Sequence, residues 1–214
     1  MKRSVLLSFI LITAVSIVSA QTRFGIKAGI NVANQNIKLR YMNGSYNQSG
    51  DAIVNFHLGG VVDIPLNKHF AFRPELLLSG KGSDLPALFD DGSTATAKMR
   101  PYYIEAPLNF VYHHDFPSGV KLYGGAGPSI AVGVFGKAKA GGQSENVFRY
   151  GGLRRLDFGF NLLAGVELKQ GITISANFIP GVANIFDGED GLVPGASGIK
   201  FKNTCFGFSV GYMF

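Results

Sequence analysis

The stretch that decides the fold is 102-YYIEAPLNFVYHHDFPSGVKLYGGAGPSIAV-132. Every second residue from Tyr102 to Tyr112 is apolar or aromatic, whereas the residues between them include Glu105 and Asn109. After a short polar turn at residues 114–119, the same alternation returns over residues 120–132. Apolar residues with a period of two are typical of a strand with one apolar face. Two such runs around a short turn predict an antiparallel hairpin.

Six further alternating runs flank this hairpin, and the eight predicted strands cover residues 22–34, 51–64, 70–80, 102–113, 120–132, 156–167, 172–178 and 206–214. The connections between them are alternately long and short. Residues 35–50, 81–100, 134–154 and 184–198 are rich in Gly and polar residues, and we interpret them as long loops. An even number of strands with short turns at one end and long loops at the other is typical of outer-membrane barrels. The runs are close to the ~9–11 residues that a tilted membrane strand needs.

The first 20 residues have the pattern of a secretory signal. Lys2 and Arg3 precede an apolar run at residues 5–18, and Val18-Ser19-Ala20 supplies small residues for cleavage. We therefore expect a cleaved signal peptide at residues 1–20 and a barrel domain at residues 21–214. Cys205 is the only cysteine of the chain, so no intramolecular disulfide can form.

Composition excludes several classes of protein. The formal net charge of +6 falls to +4 without Lys2 and Arg3, and the basic residues are scattered along an exported chain, which argues against a nucleic-acid partner. The chain has 29 Gly, 18 Phe and 8 Tyr but no Trp. No stretch after the signal approaches the ~20 apolar residues of a membrane helix. Apolar residues are instead dispersed in alternation, as in a transmembrane barrel.

The alternation alone leaves open which face of the barrel is apolar. In a soluble barrel of the lipocalin type the interior is apolar, and the polar face is solvated. Side chains just fill an eight-stranded barrel, so Phe and Leu from eight strands would be crowded inside, whereas Gly, Ser and Asn beside a few charged residues would fit. Aromatic residues such as Phe70, Tyr112 and Phe214 also lie near strand ends, where membrane girdles occur. We predict an all-β, eight-stranded antiparallel up-and-down transmembrane β-barrel in the outer membrane of a Gram-negative cell.

The polar face then becomes a barrel-interior network, which we predict to consist of Lys27, His57, Arg73, Glu75, Glu105, Lys121, Asp157 and Glu167. The network could be a plug of ion pairs or a gated polar path. Buried charges are costly unless paired, and eight strands leave no open pore, so we favour the plug. We expect Glu105 and Lys121 to pair across the hairpin.

No catalytic, cofactor or metal site is predicted. His57 could be a general base, but no Ser or Cys nucleophile pattern accompanies it, so we favour a hydrogen-bonded interior His. Residues 187–191 are acidic but lack the spacing of an EF-hand, and we favour a solvated turn. The glycines at residues 124–127 lie inside a strand pattern and precede no helix, so they do not form a phosphate-binding loop.

Four segments carry a resemblance to a known family: RFGIKAGINVAN at residues 23–34, YYIEAPLNFVY at 102–112, KLYGGAGPSIAVG at 121–133 and FGFSVGYMF at 206–214. Together they resemble the PorT-like family of outer-membrane β-barrels, over essentially the whole mature sequence. The resemblance implies the fold and the location in the cell outer membrane. The founding member of that family is associated with type IX protein secretion, so the resemblance also implies another envelope or secretion protein as a partner, beside outer-membrane lipid.

For function, we expect a non-enzymatic structural or binding role exerted through the extracellular loops, because binding residues are commonly carried by loops on a rigid scaffold. Two alternatives stay open. One is an outer-membrane enzyme acting on lipid or peptide, and the other is a narrow channel, which a filled interior would limit.

Overall fold

A computed structural model describes residues 22–88, 94–149, 152–186 and 196–214. The predicted signal peptide and the acidic segment at residues 187–191 lie outside these ranges. The described residues form β-strands. In chain order the strands are β1 (Arg23–Tyr41), β2 (Gly44–Ser49), β3 (Ile53–Pro65), β4 (Phe70–Gly80), β5 (Ser83–Leu88), β6 (Thr94–Asp115), β7 (Lys121–Ala140), β8 (Gln143–Asn146), β9 (Leu156–Glu167), β10 (Ile172–Pro180) and β11 (Ala196–Met213). No helix within the described ranges is long and apolar enough to cross a membrane.

Eight of the strands close into a ring. Its order is β1, β3, β4, β6, β7, β9, β10 and β11, and β11 pairs again with β1. Every pairing is antiparallel. Closure leaves the ring without a free edge, so the backbone polar groups of the wall bond to one another, as a structure in lipid requires. The predicted all-β, eight-stranded antiparallel barrel is confirmed.

Three short strands lie outside the ring and correct the predicted loops. β2 pairs with the end of β1, β5 with the start of β6, and β8 with the end of β7. Within the loops predicted at residues 35–50, 81–100 and 134–154, β2, β5 and β8 therefore form hairpin extensions of the wall, and β11 begins within the loop predicted at residues 184–198. The prediction was wrong because it relied on an apolar face. These extensions are polar on their outer side, as at Asn36, Lys38 and Arg40, and their hairpin backbone hydrogen bonds need no apolar face.

The opposite end of the barrel has short turns, as predicted. In two of them a glycine adopts the left-handed backbone region, with φ of +82° at Gly119 and +86° at Gly171. The amide of Gly119 donates to the carbonyl of Phe116, and the amide of Gly171 donates to the carbonyl of Leu168, each over 2.9 Å. Glycine is the residue that takes this conformation without a Cβ penalty. These turns define the turn end of the barrel, and the hairpin extensions define the loop end.

The apolar face lies on the outside of the barrel. The outward residues Phe24, Leu76 and Val210 are 60%, 61% and 60% exposed, whereas the inward Glu105 is 1% exposed. A soluble barrel of the lipocalin type would show the reverse, so that alternative is excluded. A continuous exposed apolar band of this extent is a surface for lipid.

Aromatic side chains border this band at both ends. Near the turn end, Phe70 packs against Tyr112 with ring centroids 5.4 Å apart. Near the loop end, Tyr102 stacks on Phe135 at 4.8 Å and contacts Phe56 at 5.5 Å. Two aromatic belts at the edges of an apolar band are typical of a barrel that spans a bilayer.

Candidate functional site in the barrel interior

The interior is filled by the side chains that alternate with the lipid-facing ones. Polar groups lie there at three levels: a turn-end layer, a middle layer and a loop-end layer. Inward glycines make room for them. A Cβ on Gly127 would overlap the backbone carbonyl of Leu108, and one on Gly165 would overlap the ring of Tyr123. The glycine-rich run at residues 124–127 thus belongs to the wall of β7, as the strand pattern indicated.

The turn-end layer consists of Arg23, Asp63, Arg73 and Glu167. Arg23 donates through Nη1 to Glu167 Oε1 at 2.5 Å and through Nη2 to Asp63 Oδ2 at 2.9 Å. Arg73 Nε donates to the other oxygen of Asp63, also at 2.9 Å, and its guanidinium lies 4.3 Å from the centre of the Tyr123 ring. Asp63 therefore accepts from two guanidinium groups. Forked arginine donors suit shared carboxylates of this kind.

The middle layer contains one ion pair and one histidine. Lys27 Nζ lies 2.8 Å from Glu75 Oε2. His57 Nδ1 lies 2.8 Å from Asn31 Oδ1, and His57 Nε2 lies 2.7 Å from Ser209 Oγ. Because Asn31 Oδ1 can only accept, His57 carries its proton on Nδ1 and accepts from the Ser209 hydroxyl through Nε2.

Sequence reasoning did not find Ser209 beside His57, because barrel closure brings the two together. Gly29 lies opposite His57 on one side and opposite Ser209 on the other. A Cβ at Gly29 would overlap the His57 imidazole. Glycine at this position lets the histidine reach across β1 to the serine.

The Asn31–His57–Ser209 arrangement has the connectivity of a catalytic triad. Its surroundings do not support catalysis, because His57 is 2% exposed and Ser209 is 4% exposed. The cavity that His57 lines measures only about 10 Å³. That volume holds about one water molecule and no substrate.

The loop-end layer consists of Lys81, Glu105 and Asp157. Lys81 Nζ lies 2.8 Å from Glu105 Oε1 and 3.3 Å from Asp157 Oδ2. Ser129 donates to Glu105 at 2.9 Å, and the Asn203 amide donates to Asp157 at 2.8 Å. All three charged side chains are 2–3% exposed.

Lys81 was missing from the predicted network because it follows β4 and lies in a predicted loop. The signal was present, since residues 73, 75, 77 and 79 alternate inward and Lys81 continues that series. The predicted pairing of Glu105 with Lys121 is wrong. Register places Glu105 opposite Ala131 and Lys121 opposite Asp115 at the turn end. Glu105 and Asp115 are ten positions apart on β6, which corresponds to about 33 Å along the strand. Lys121 Nζ instead lies 3.8 Å from Asp115 Oδ1.

An apolar cluster covers the loop-end layer, and sequence reasoning did not predict it. Its buried members come from the hairpin extensions and the loops: Leu85, Met99, Val147, Leu153 and Ile185. Phe148 packs against this cluster and meets the Tyr103 ring edge-on at 5.7 Å, and that ring lies 5.3 Å from Lys81 Nζ. The mouth of the barrel is therefore closed by apolar side chains directly above buried charges. Among the described residues, no group of three or more His, Cys, Asp or Glu side chains could hold a metal ion.

Residues 19–187 match the model of the family described as outer membrane protein beta-barrel domain. The chain belongs to this family. Membership agrees with the closed ring and the apolar outer band, and it places the protein in the outer membrane. A search of curated protein sequences finds no match.

Solved structures share the fold at low sequence identity. The outer membrane protein OprG from Pseudomonas aeruginosa is 13% identical, with a TM-score of 0.50, over 90% of this chain and 95% of that chain. Neisserial surface protein A is 17% identical, with a TM-score of 0.39, over 89% of this chain and 97% of that chain. Ail of Yersinia pestis is 15% identical, with a TM-score of 0.36, over 88% of this chain and 98% of that chain. The similarity to OprG concerns the fold alone.

Proposed function

We propose that this outer-membrane protein is a non-enzymatic structural and binding platform whose interior is closed. The observation that carries the proposal is the filled interior, with the turn-end layer at one end and the Lys81 layer under an apolar cluster at the other. Buried ion pairs replace the hydrophobic core that a soluble barrel would have. A path for solute would require several of these pairs to separate inside the barrel, which is strongly unfavourable.

The loop end is the proposed binding surface. Its hairpins extend the wall beyond the apolar band, and Tyr46 on β2 presents a side chain that is 56% exposed. Function is commonly carried by such projections on a rigid scaffold. The short turns at the opposite end offer much less surface.

A link to protein secretion is the finer part of the proposal. It rests on the resemblance of the strand segments to the PorT-like family. In that case the partner is another envelope or secretion protein that contacts the loop end, while outer-membrane lipid surrounds the wall.

Site-specific photo-crosslinking in intact outer membranes tests where partners bind. A cross-linking amino acid at Tyr46 should give discrete protein adducts. The matched control is Leu66 in a short turn, with a similar exposure of 54%, which should give none. Adducts at Leu66 alone would contradict a binding role for the loop end.

Planar-bilayer recording tests whether the interior is closed. The purified protein should insert without discrete conductance steps. Reproducible steps would favour the channel alternative. The enzyme alternative would use the Asn31–His57–Ser209 arrangement. A serine-directed fluorophosphonate should leave Ser209 unlabelled in the folded protein, because Ser209 is 4% exposed and the cavity that His57 lines measures only about 10 Å³.

A further inference from the structure

A basic cluster lies on the outer surface of the loop end and consists of Lys38, Arg40, Lys200 and Lys202. Lys38 and Lys200 are direct cross-strand partners in the seam between β1 and β11. Like charges directly opposite each other destabilise an antiparallel pair. The pairing would be stabilised by an anion that the two lysines share.

The described parts of the chain offer these lysines no carboxylate. The other register neighbour of Lys38 is Asn47 on β2, and Lys202 lies opposite Asn36. Within the described ranges, none of the ion pairs includes Lys38, Lys200 or Lys202. Among the described residues, no carboxylate balances the charge of these three lysines, so an anionic ligand could do so.

The cluster lines a groove rather than a flat surface. The groove has a volume of about 520 Å³, and the side chains of Asn47 and Asn184 line it together with the basic residues. Lysine and arginine supply charge for a phosphate group, and amide N–H groups can add hydrogen bonds to its oxygens. The volume is in the range of sites for small ligands or lipid headgroups.

The height of the groove above the apolar band points to the source of the anion. Val32 and Phe206 form the last apolar outward pair of the seam, with exposures of 37% and 40%. On β11, Lys202 lies four residues from Phe206 towards the loop end, and Lys200 lies six residues from it in the same direction. At about 3.3 Å per residue and a tilt of about 40°, they lie roughly 10 and 15 Å above that pair. The Lys202 side chain can reach back from there into the headgroup layer, which extends roughly 5–8 Å beyond the hydrocarbon, and the Lys38–Lys200 pair lies just above that layer.

We infer that this groove binds the phosphate groups of a phosphorylated glycolipid in the outer leaflet. The inference depends on the outer-membrane location and on no property of the closed interior, so it can fail while the platform proposal holds. Basic residues near an anionic lipid surface each raise affinity by about fivefold. Removal of two lysines from the groove should weaken binding by about thirtyfold.

The test compares two double variants of equal charge change. Lys38→Gln with Lys200→Gln removes the groove pair. The matched control is Lys98→Gln with Lys139→Gln, a second cross-strand lysine pair in which Lys98 also has Asp84 as a register partner on β5. Binding of lipid A to the purified full chain in zwitterionic detergent is measured by native mass spectrometry. Heat-modifiable gel migration confirms that each variant is folded.

The wild type and the control should bind lipid A within about twofold of each other, and the groove variant about thirtyfold more weakly. Dephosphorylated lipid A should bind the wild type as weakly as lipid A binds the groove variant. Equal loss in both double variants would overturn the inference, because it would show general charge attraction. Binding of inorganic pyrophosphate at the affinity of lipid A would also overturn it, because the ligand would then be a free anion.

Discussion

The turn-end layer and the loop-end layer both neutralise buried carboxylates, but they use different cations. Each holds two carboxylates inside the barrel. At the turn end two guanidinium groups share them, and the Arg23 side chain is 29% exposed. At the loop end the ammonium of Lys81 serves both carboxylates, at 3% exposure and under an apolar cluster. The turn-end layer thus has a second cation and some access to water. Among the described residues the loop-end layer has only Lys81, which is buried, so loss of a cation should cost more at the loop end.

The largest effect is expected for Lys81→Met. It leaves Glu105 and Asp157 buried without their shared cation, and breaking a buried pair in this way costs about 3–5 kcal/mol. Urea unfolding of the barrel in detergent micelles should show a clear fall in midpoint at unchanged slope. Lys81→Arg is the control, since it keeps the charge. A wild-type midpoint in the Met variant would contradict the pairing.

A smaller loss is expected for Arg73→Ala. Asp63 keeps its contact with Arg23, so it is not left unpaired, but the Asp63 hydrogen bond and the contact with the Tyr123 ring are lost. We expect destabilisation of about 2–3 kcal/mol and no gain of conductance in planar bilayers. A clear rise in conductance with unchanged thermal stability would contradict the interpretation of the interior network as a plug.

Arg23→Gln removes the only described cation bonded to Glu167, but water reaches the Arg23 side chain, so we expect a loss of about 1–2 kcal/mol that depends on salt. Charges with access to water are screened, and the screening length falls from about 10 Å at 0.1 M to 3 Å at 1 M. The difference from wild type should therefore shrink in 1 M NaCl. The Lys81→Met difference, measured in parallel, should stay nearly constant. If both differences shrink equally, the two layers do not differ in access to water.

The smallest effect is expected for Lys121→Ala. Its ammonium lies 3.8 Å from Asp115, whose side chain is 59% exposed. Exposed pairs of this kind contribute about 0–1 kcal/mol, so the free energy of unfolding from urea titration should fall by less than about 0.5 kcal/mol. A loss comparable to that of Arg73→Ala would mean that Lys121 belongs to the interior network after all.

Sequence periodicity predicted the barrel because alternation directly records which face of a strand is apolar. It placed β4 and β9 with the observed boundaries, and it put seven of the eight predicted network residues inside the barrel, with Lys121 at its turn-end rim. Periodicity predicted no strand where the apolar alternation ended. The hairpin extensions at the loop end are polar outside, so β2, β5 and β8 gave no apolar period.

The hydrogen-bond and ion-pair partners of the interior side chains were harder to predict from sequence than the inward orientation of those side chains. Glu105 and Lys121 lie on one hairpin, yet their partners are set by register and by residues across the lumen, such as Lys81. His57 and Ser209 are 152 residues apart and meet only because β1 lies between β3 and β11. Such contacts depend on ring closure and on the glycine at position 29, neither of which leaves a local pattern.

The seam between β1 and β11 has a consequence for biogenesis. Its pairing runs from Gly25 opposite Met213 to Tyr41 opposite Ala196, so it joins the first strand of the barrel to the last. The ring cannot close until the final strand has been translated and exported. Until then the incomplete sheet has two free edges that can pair with other chains. Delivery to the membrane therefore requires protection of a nearly full-length, unpaired chain, and removal of β11 should produce an aggregating polypeptide rather than a smaller barrel.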